Sequence, residues 1–101
     1  MNDATKQAYL DKMSAQLREW GAKVDVVKAK LAQGTADIRI DYHKQIESWH
    51  EQELAFKHKM TELGAVGADG FEVMKTAAQK SWNEVTSFVD NLESKINEKL
   101  K

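Results

Sequence analysis

Apolar residues recur at heptad spacing through the first third of the chain. They follow one another at steps of three, four, three, four, three and four residues, and they are Leu10, Met13, Leu17, Trp20, Val24, Val27 and Leu31. This spacing places one apolar stripe along an α-helix and is typical of a coiled coil. Because such a stripe must be covered by another helix, the pattern predicts helix-on-helix packing, but it identifies no substrate or reaction.

The stripe resumes after Gly34. Its further members are Ile38, Tyr42, Ile46, Trp49, Phe56, Met60 and Leu63, and we call the whole set from Leu10 to Leu63 the seam. Val27 and Ile38 are eleven residues apart, and eleven residues make three turns of nearly straight helix, so the stripe stays on one face through Gly34. The spacing therefore favours one long amphipathic helix over about 4–63, roughly 90 Å in length.

Gly34 also allows a turn. A helix ending there, with Thr35 or Asp37 capping the next helix, would give a compact three-helix bundle. Charge supports this alternative, since residues 1–33 carry six Lys or Arg against four Asp or Glu, and residues 34–63 carry four against six. Antiparallel arms would then be complementary. Because one internal glycine costs only about 1 kcal/mol relative to alanine, the long helix is the preferred prediction.

A second break follows at residues 64–70, where Gly64, Gly67 and Gly70 predict a hinge. Residues 71–100 are predicted to be helical again, with apolar positions on one side. We call this side the C-terminal apolar face, and its members are Phe71, Met74, Trp82, Val85, Val89, Leu92 and Ile96. Such a face can pack against the first helix or lie on a lipid surface.

Composition agrees with a single all-α domain over residues 1–101. The chain has 31% charged and 42% hydrophobic residues, with no proline and no cysteine, so little interrupts helices. A net charge of −1 supplies no basic surface, and we expect no nucleic-acid partner. No apolar run approaches the roughly 18 residues of a membrane span. We therefore expect a cytoplasmic protein, with peripheral association at a membrane or granule surface as the variant.

Three residues near the middle suggest a metal site only weakly. Glu47 and His50 have Glu-x-x-His spacing, and His43 lies one turn earlier, so one helix face could bind a divalent cation. Carboxylate-bridged metal bundles need that motif twice, and the chain has one copy. We interpret these residues as positions flanking the seam, and we expect no metal and no cofactor.

Catalytic patterns are missing from the sequence as well. The serines lie on predicted helices without a glycine-rich elbow, and residues 64–70 lack the Gly-Lys-Ser/Thr ending of a phosphate-binding loop. A thin helical protein also offers little room for a concave pocket that excludes water. The sequence therefore predicts a protein that is not an enzyme.

Three segments carry a resemblance to a known family. Residues 8–20 read Ala-Tyr-Leu-Asp-Lys-Met-Ser-Ala-Gln-Leu-Arg-Glu-Trp, residues 40–46 read Ile-Asp-Tyr-His-Lys-Gln-Ile, and residues 82–85 read Trp-Asn-Glu-Val. The chain thereby resembles small bacterial coiled-coil proteins, often labelled stress-response proteins, whose C-terminal part is similar to apolipoprotein-type amphipathic helices. The resemblance implies induction under stress and a non-enzymatic role, and it supplies no ligand or catalytic residue.

These observations lead to two functional hypotheses. The first is a self-associating coiled coil, a homo-oligomer that scaffolds or shields other surfaces during stress. Its strands are expected to be antiparallel or staggered, because Lys23 and Lys28 would face each other in a parallel dimer. The alternative is binding to a lipid or granule surface, or to a protein partner, through the C-terminal apolar face.

Overall fold

Three α-helices of nearly equal length form the protein. The computed structural model describes residues 3–100, in which α1 spans Asp3–Ala32, α2 spans Ala36–Ala65 and α3 spans Ala68–Lys99. Each helix packs against both others, and the bundle measures 51 × 18 × 16 Å. The described residues contain no strand. The all-α prediction is confirmed.

The prediction of one long helix over 4–63 is wrong, and the three-helix alternative is right. The chain reverses at residues 33–35. The Gly34 amide donates to the Leu31 carbonyl over 3.0 Å, which tightens the last turn of α1. Thr35 has extended backbone angles and caps α2, because its hydroxyl oxygen accepts a hydrogen bond from the Ile38 amide over 3.3 Å.

Gly34 serves this turn through its small size. None of the described glycines has a positive φ, so the turn does not depend on a left-handed backbone. A Cβ atom on Gly34 would instead lie 3.2 Å from Leu100 Cδ2 and 3.3 Å from the Leu31 carbonyl oxygen. The end of α3 therefore packs directly against the α1–α2 turn, and glycine allows this close approach.

Burial of the seam explains why the chain folds back. A long isolated helix would leave the seam exposed, whereas the reversal lets α2 and α3 cover it within one chain. Each large apolar side chain gains about 1.5–3 kcal/mol on burial, and continuing the helix through Gly34 would cost about 1 kcal/mol relative to alanine. Both the burial of apolar side chains and the cost of a helical glycine therefore favour the reversal at Gly34.

The second connection is shorter than the predicted hinge at 64–70. Gly64 lies within α2 and Gly70 lies within α3, and only Val66 and Gly67 separate the two helices. The extended Gly67 precedes α3, and its carbonyl accepts a hydrogen bond from the Phe71 amide over 3.1 Å. Packing against neighbouring helices keeps the flanking glycines helical despite their low intrinsic propensity.

The core consists of two apolar clusters that share the bundle axis. The larger one is centred on the aromatic side chains of Trp20, Trp49 and Phe56. The smaller one, near the α1–α2 turn, is Val27, Leu31, Tyr42, Leu92 and Ile96. In the described part of the chain no polar or charged residue is buried. The helices are therefore held together chiefly by apolar contact.

A matched pair of valines tests this account of stability. Val24 is 1% exposed and Val26 is 53% exposed on the same helix. We expect Val24→Ala to lower the free energy of unfolding by about 2 kcal/mol, because it removes buried carbon atoms and leaves a cavity. The same substitution at Val26 should change it by less than about 0.5 kcal/mol. Urea unfolding followed by circular dichroism measures both, and equal effects would contradict the bundle.

Candidate functional site

The C-terminal apolar face is the inner side of α3. Five of its seven members, Phe71, Val85, Val89, Leu92 and Ile96, are buried in the core. The other two, Met74 and Trp82, are half-buried and pack against the larger cluster. The face that the sequence offers to lipid or a partner is thus covered by α1 and α2, and α3 must leave them before this face can bind anything else.

The seam residues from α1 and α2 form the other side of this interface. Each of them is buried or half-buried. Glu53 lies between the seam residues Trp49 and Phe56 in sequence, and it is half-buried with its side chain 26% exposed. The seam is therefore used within one chain.

Trp82 joins α3 to the aromatic centre of the bundle. Its ring centroid lies 6.2 Å from that of Trp20 and 6.1 Å from that of Phe56, both in edge-to-face geometry. Trp20 in turn meets Phe56 at 4.9 Å and Trp49 at 6.5 Å. Such edge-to-face pairs add about 0.5–1.5 kcal/mol each to the burial of area. The three tryptophans thus belong to one cluster to which all three helices contribute.

Tyr9 belongs to the same interface, although the sequence patterns do not select it. Its ring contacts Phe71 and Trp82 at centroid distances of 6.1 Å each, and its hydroxyl donates to Gln79 Oε1 over 3.1 Å. Lys75 Nζ lies 5.2 Å from the centre of the ring. Burial raises the pKa of the Tyr9 phenol above its usual value. The sequence feature that could have indicated Tyr9 as an interface residue is its position next to Leu10, at the edge of the seam.

Phe88 is a second residue that the sequence patterns miss. It is half-buried and packs against both apolar clusters. Because Phe88 immediately precedes Val89, it lies at the edge of the C-terminal apolar face rather than in its centre. The face is therefore wider than the heptad positions indicate.

Polar contacts between α3 and α1 lie at the surface. Lys23 Nζ lies 3.7 Å from Asp90 Oδ1, with side chains 38% and 58% exposed. Lys30 Nζ donates to Asn97 Oδ1 over 2.6 Å. Exposed pairs of this kind contribute little, typically below about 1 kcal/mol. They set the register of α3, while its apolar side supplies most of the attraction.

The α2–α3 connection consists of two residues that lie outside both helices. Val66 and Gly67 both have extended backbone angles, and Gly67 offers no side chain to cap α3. One side chain holds the connection from outside, since Lys6 Nζ donates to the Val66 carbonyl over 2.8 Å. Rotation at these two residues would carry α3 away as a unit.

One local defect lies between α2 and α3. Gln45 Oε1 is buried without a hydrogen-bond partner. The same glutamine lines a small cavity of about 130 Å³ together with Phe88, Asn91, Leu92 and Lys95. An unpaired buried acceptor costs about 1–3 kcal/mol. This defect weakens the docking of α3 in its C-terminal third.

Of the three residues considered for a metal, His43 and Glu47 are in contact, and His50 faces other partners. His43 Nε2 lies 2.9 Å from Glu47 Oε1, and both side chains are exposed. His50 instead has Nε2 3.4 Å from Lys28 Nζ and Nδ1 3.9 Å from Glu53 Oε1. Among the described residues no group of three or more His, Cys, Asp or Glu is placed to hold a metal ion.

The larger surface depressions are shallow features of the helix exteriors. One is lined by Ala36, Arg39, Ile40, His43 and Lys44, all on α2. Another lies along α3 between Glu72 and Asn83. Residues on a single helix cannot surround a reacting group, so neither depression positions a nucleophile and a base around a substrate.

Gln45 provides a test of how firmly α3 is docked. We expect Gln45→Met to raise the free energy of unfolding by about 1 kcal/mol, because it replaces an unpaired buried acceptor with apolar atoms of similar shape. The melting temperature should rise by about 4–8 °C. Gln52→Met is the matched control, since Gln52 is half-buried on the same helix. Equal melting temperatures for the two variants would contradict the assigned defect.

Comparison with known proteins gives no match. No family model matches the chain, and no curated protein or solved structure gives a significant similarity. The resemblance to coiled-coil stress-response proteins stays a prediction based on the three sequence segments. In the region described, no helix is long and apolar enough to cross a membrane.

Proposed function

We propose that this chain is a non-enzymatic helical bundle that binds lipid or granule surfaces by releasing α3. The observation that carries the proposal is the inner side of α3. This side is apolar along its length and is covered by α1 and α2 through apolar contact. Two extended residues join α3 to α2. A surface that offers equivalent apolar cover can replace the other two helices.

The outer side of α3 indicates how such binding is driven. Its acidic residues are Asp69, Glu72, Glu84, Asp90, Glu93 and Glu98, and its basic residues are Lys75, Lys80, Lys95 and Lys99. This balance differs from the lysine-dominated surface that anionic membranes attract. Apolar burial rather than charge therefore drives the proposed binding, and neutral and anionic lipids are bound alike.

The energetics make release dependent on the surface. Exposing five buried side chains of α3 at about 1.5–3 kcal/mol each costs on the order of 10 kcal/mol, which is comparable to the whole stability of a small domain. In water the released form is therefore rare. Lipid binding and opening must occur together, and binding is expected to be slower than diffusion to the vesicle.

Self-association remains the second candidate function. Its first argument, an exposed seam, no longer applies, because α2 and α3 cover the seam within one chain. A dimer that uses the seam must instead exchange helices between copies, and the α1–α2 turn provides a route to such exchange. The proposal of a stress-related scaffold depends on this exchange of helices and on the sequence resemblance.

A covalent lock on α3 tests the lipid proposal. The chain lacks cysteine, so Lys30→Cys with Asn97→Cys gives one unique pair, which a short bifunctional maleimide can join across the α1–α3 contact. We expect the uncrosslinked variant to co-sediment with phosphatidylcholine vesicles, and with vesicles that also contain phosphatidylglycerol, at low and high salt. The crosslinked form should lose this binding because α3 cannot leave.

The control lock joins the other two helices. Lys28 and His50 meet between α1 and α2, so Lys28→Cys with His50→Cys leaves α3 free after crosslinking. This form should bind vesicles as well as its uncrosslinked parent. Equal binding by both locked forms, or no binding by the uncrosslinked chains, would remove the proposal.

A further inference from the structure

We propose that the α1–α2 turn is a domain-swapping hinge, through which two copies of this chain form an extended antiparallel dimer. Straightening residues 33–35 would join α1 and α2 into one helix over residues 3–65. In that dimer, α1 of one copy packs against α2 and α3 of its partner. The inference goes beyond the proposed lipid function, because α3 stays docked on α2 throughout.

The register of the apolar stripe permits this exchange. Leu31 is the last buried residue of α1, and Tyr42 is the first buried residue of α2. They are eleven residues apart, which is three turns of nearly straight helix. A continuous helix therefore presents the same buried side before and after the turn, and no core residue of either arm would rotate into solvent.

The symmetry of the swap restores every interface of the bundle. In the closed chain α1 contacts both α2 and α3. In an antiparallel pair centred on Gly34, each α1 reaches α2 and α3 of the other copy in the same orientation. The contacts of Lys23 with Asp90 and of Lys30 with Asn97 would then form between copies. Swapping of identical elements is a low-cost route to a dimer for this reason.

The turn itself decides the balance between the two forms. None of its residues needs a left-handed backbone, so all three can become helical without strain. The closed form keeps the Thr35 cap and the contact of Leu100 with Gly34. The open form gains helical hydrogen bonds at the three turn residues.

Gly34 supplies a substitution that acts oppositely on the two forms. An alanine Cβ would be crowded by Leu100 and by the Leu31 carbonyl in the closed turn, and alanine is favoured over glycine in a continuous helix. We expect Gly34→Ala to raise the dimer association constant by about 30-fold, roughly fivefold for each of the two chains. Sedimentation equilibrium across a concentration series measures this constant.

Gly21→Ala is the matched control. Gly21 lies within α1, and a Cβ there meets no atom within 4 Å. It is helical in both forms, so this variant should melt at a higher temperature with an unchanged association constant. Thr35→Ala is the second variant, because it removes the α2 cap without adding bulk at Gly34. It should also favour the dimer, and it decides the question if Gly34→Ala does not fold.

The shape of the dimer separates swapping from simple side-by-side contact. The closed chain is 51 Å long, whereas a helix of residues 3–65 spans about 95 Å. Small-angle scattering of the Gly34→Ala dimer should therefore give nearly twice the length of the monomer. A dimer no longer than the closed chain, or variants at Gly34 and Thr35 that associate no more strongly than Gly21→Ala, would overturn the inference.

Discussion

Covering one apolar stripe is the constraint on which the rest of this structure depends. The seam runs along α1 and α2, and a helix cannot bury its own stripe. Folding back at Gly34 and again at Gly67 lets three stripes face one another, with Trp20, Trp49 and Trp82 at their meeting point. Because the described core contains no buried polar residue, the stability of the bundle depends on the area covered and on edge-to-face aromatic contact.

The same constraint limits what the protein can do. Any binding through the inner side of a helix must replace the cover that another helix gives, since bare exposure costs on the order of 10 kcal/mol. Each of the two connections between helices allows one such replacement of the covering helices. A lipid surface would replace α1 and α2 around a released α3 at Val66 and Gly67, and a second copy would replace α1 at Gly34. Each keeps the helices intact and changes only what covers them.

The sequence predicts the helices and the apolar residues better than it predicts the turn. Heptad spacing selects residues that lie in the core, because residues at this spacing share the one face of the helix that packs against the other helices. The turn at Gly34 could not be decided locally, since the stripe keeps its register with or without it. The deciding contacts are tertiary, with Leu100 packed on Gly34. Tyr9 and Phe88 lie at helix edges, where a heptad pattern gives no signal. Glu47 and His50 share spacing, but their side chains turn to different partners.

The most direct test of the central claim is the distance between α1 and α2 within one chain. Lys12 and Glu62 are exposed and can be replaced by spin-labelled cysteines, with the labelled protein diluted in unlabelled chain at a concentration where it is monomeric. Fifty residues separate these positions, which is about 75 Å along a continuous helix. The bundle predicts a short distance, well below half of that value. A distribution centred near the full length would contradict the account.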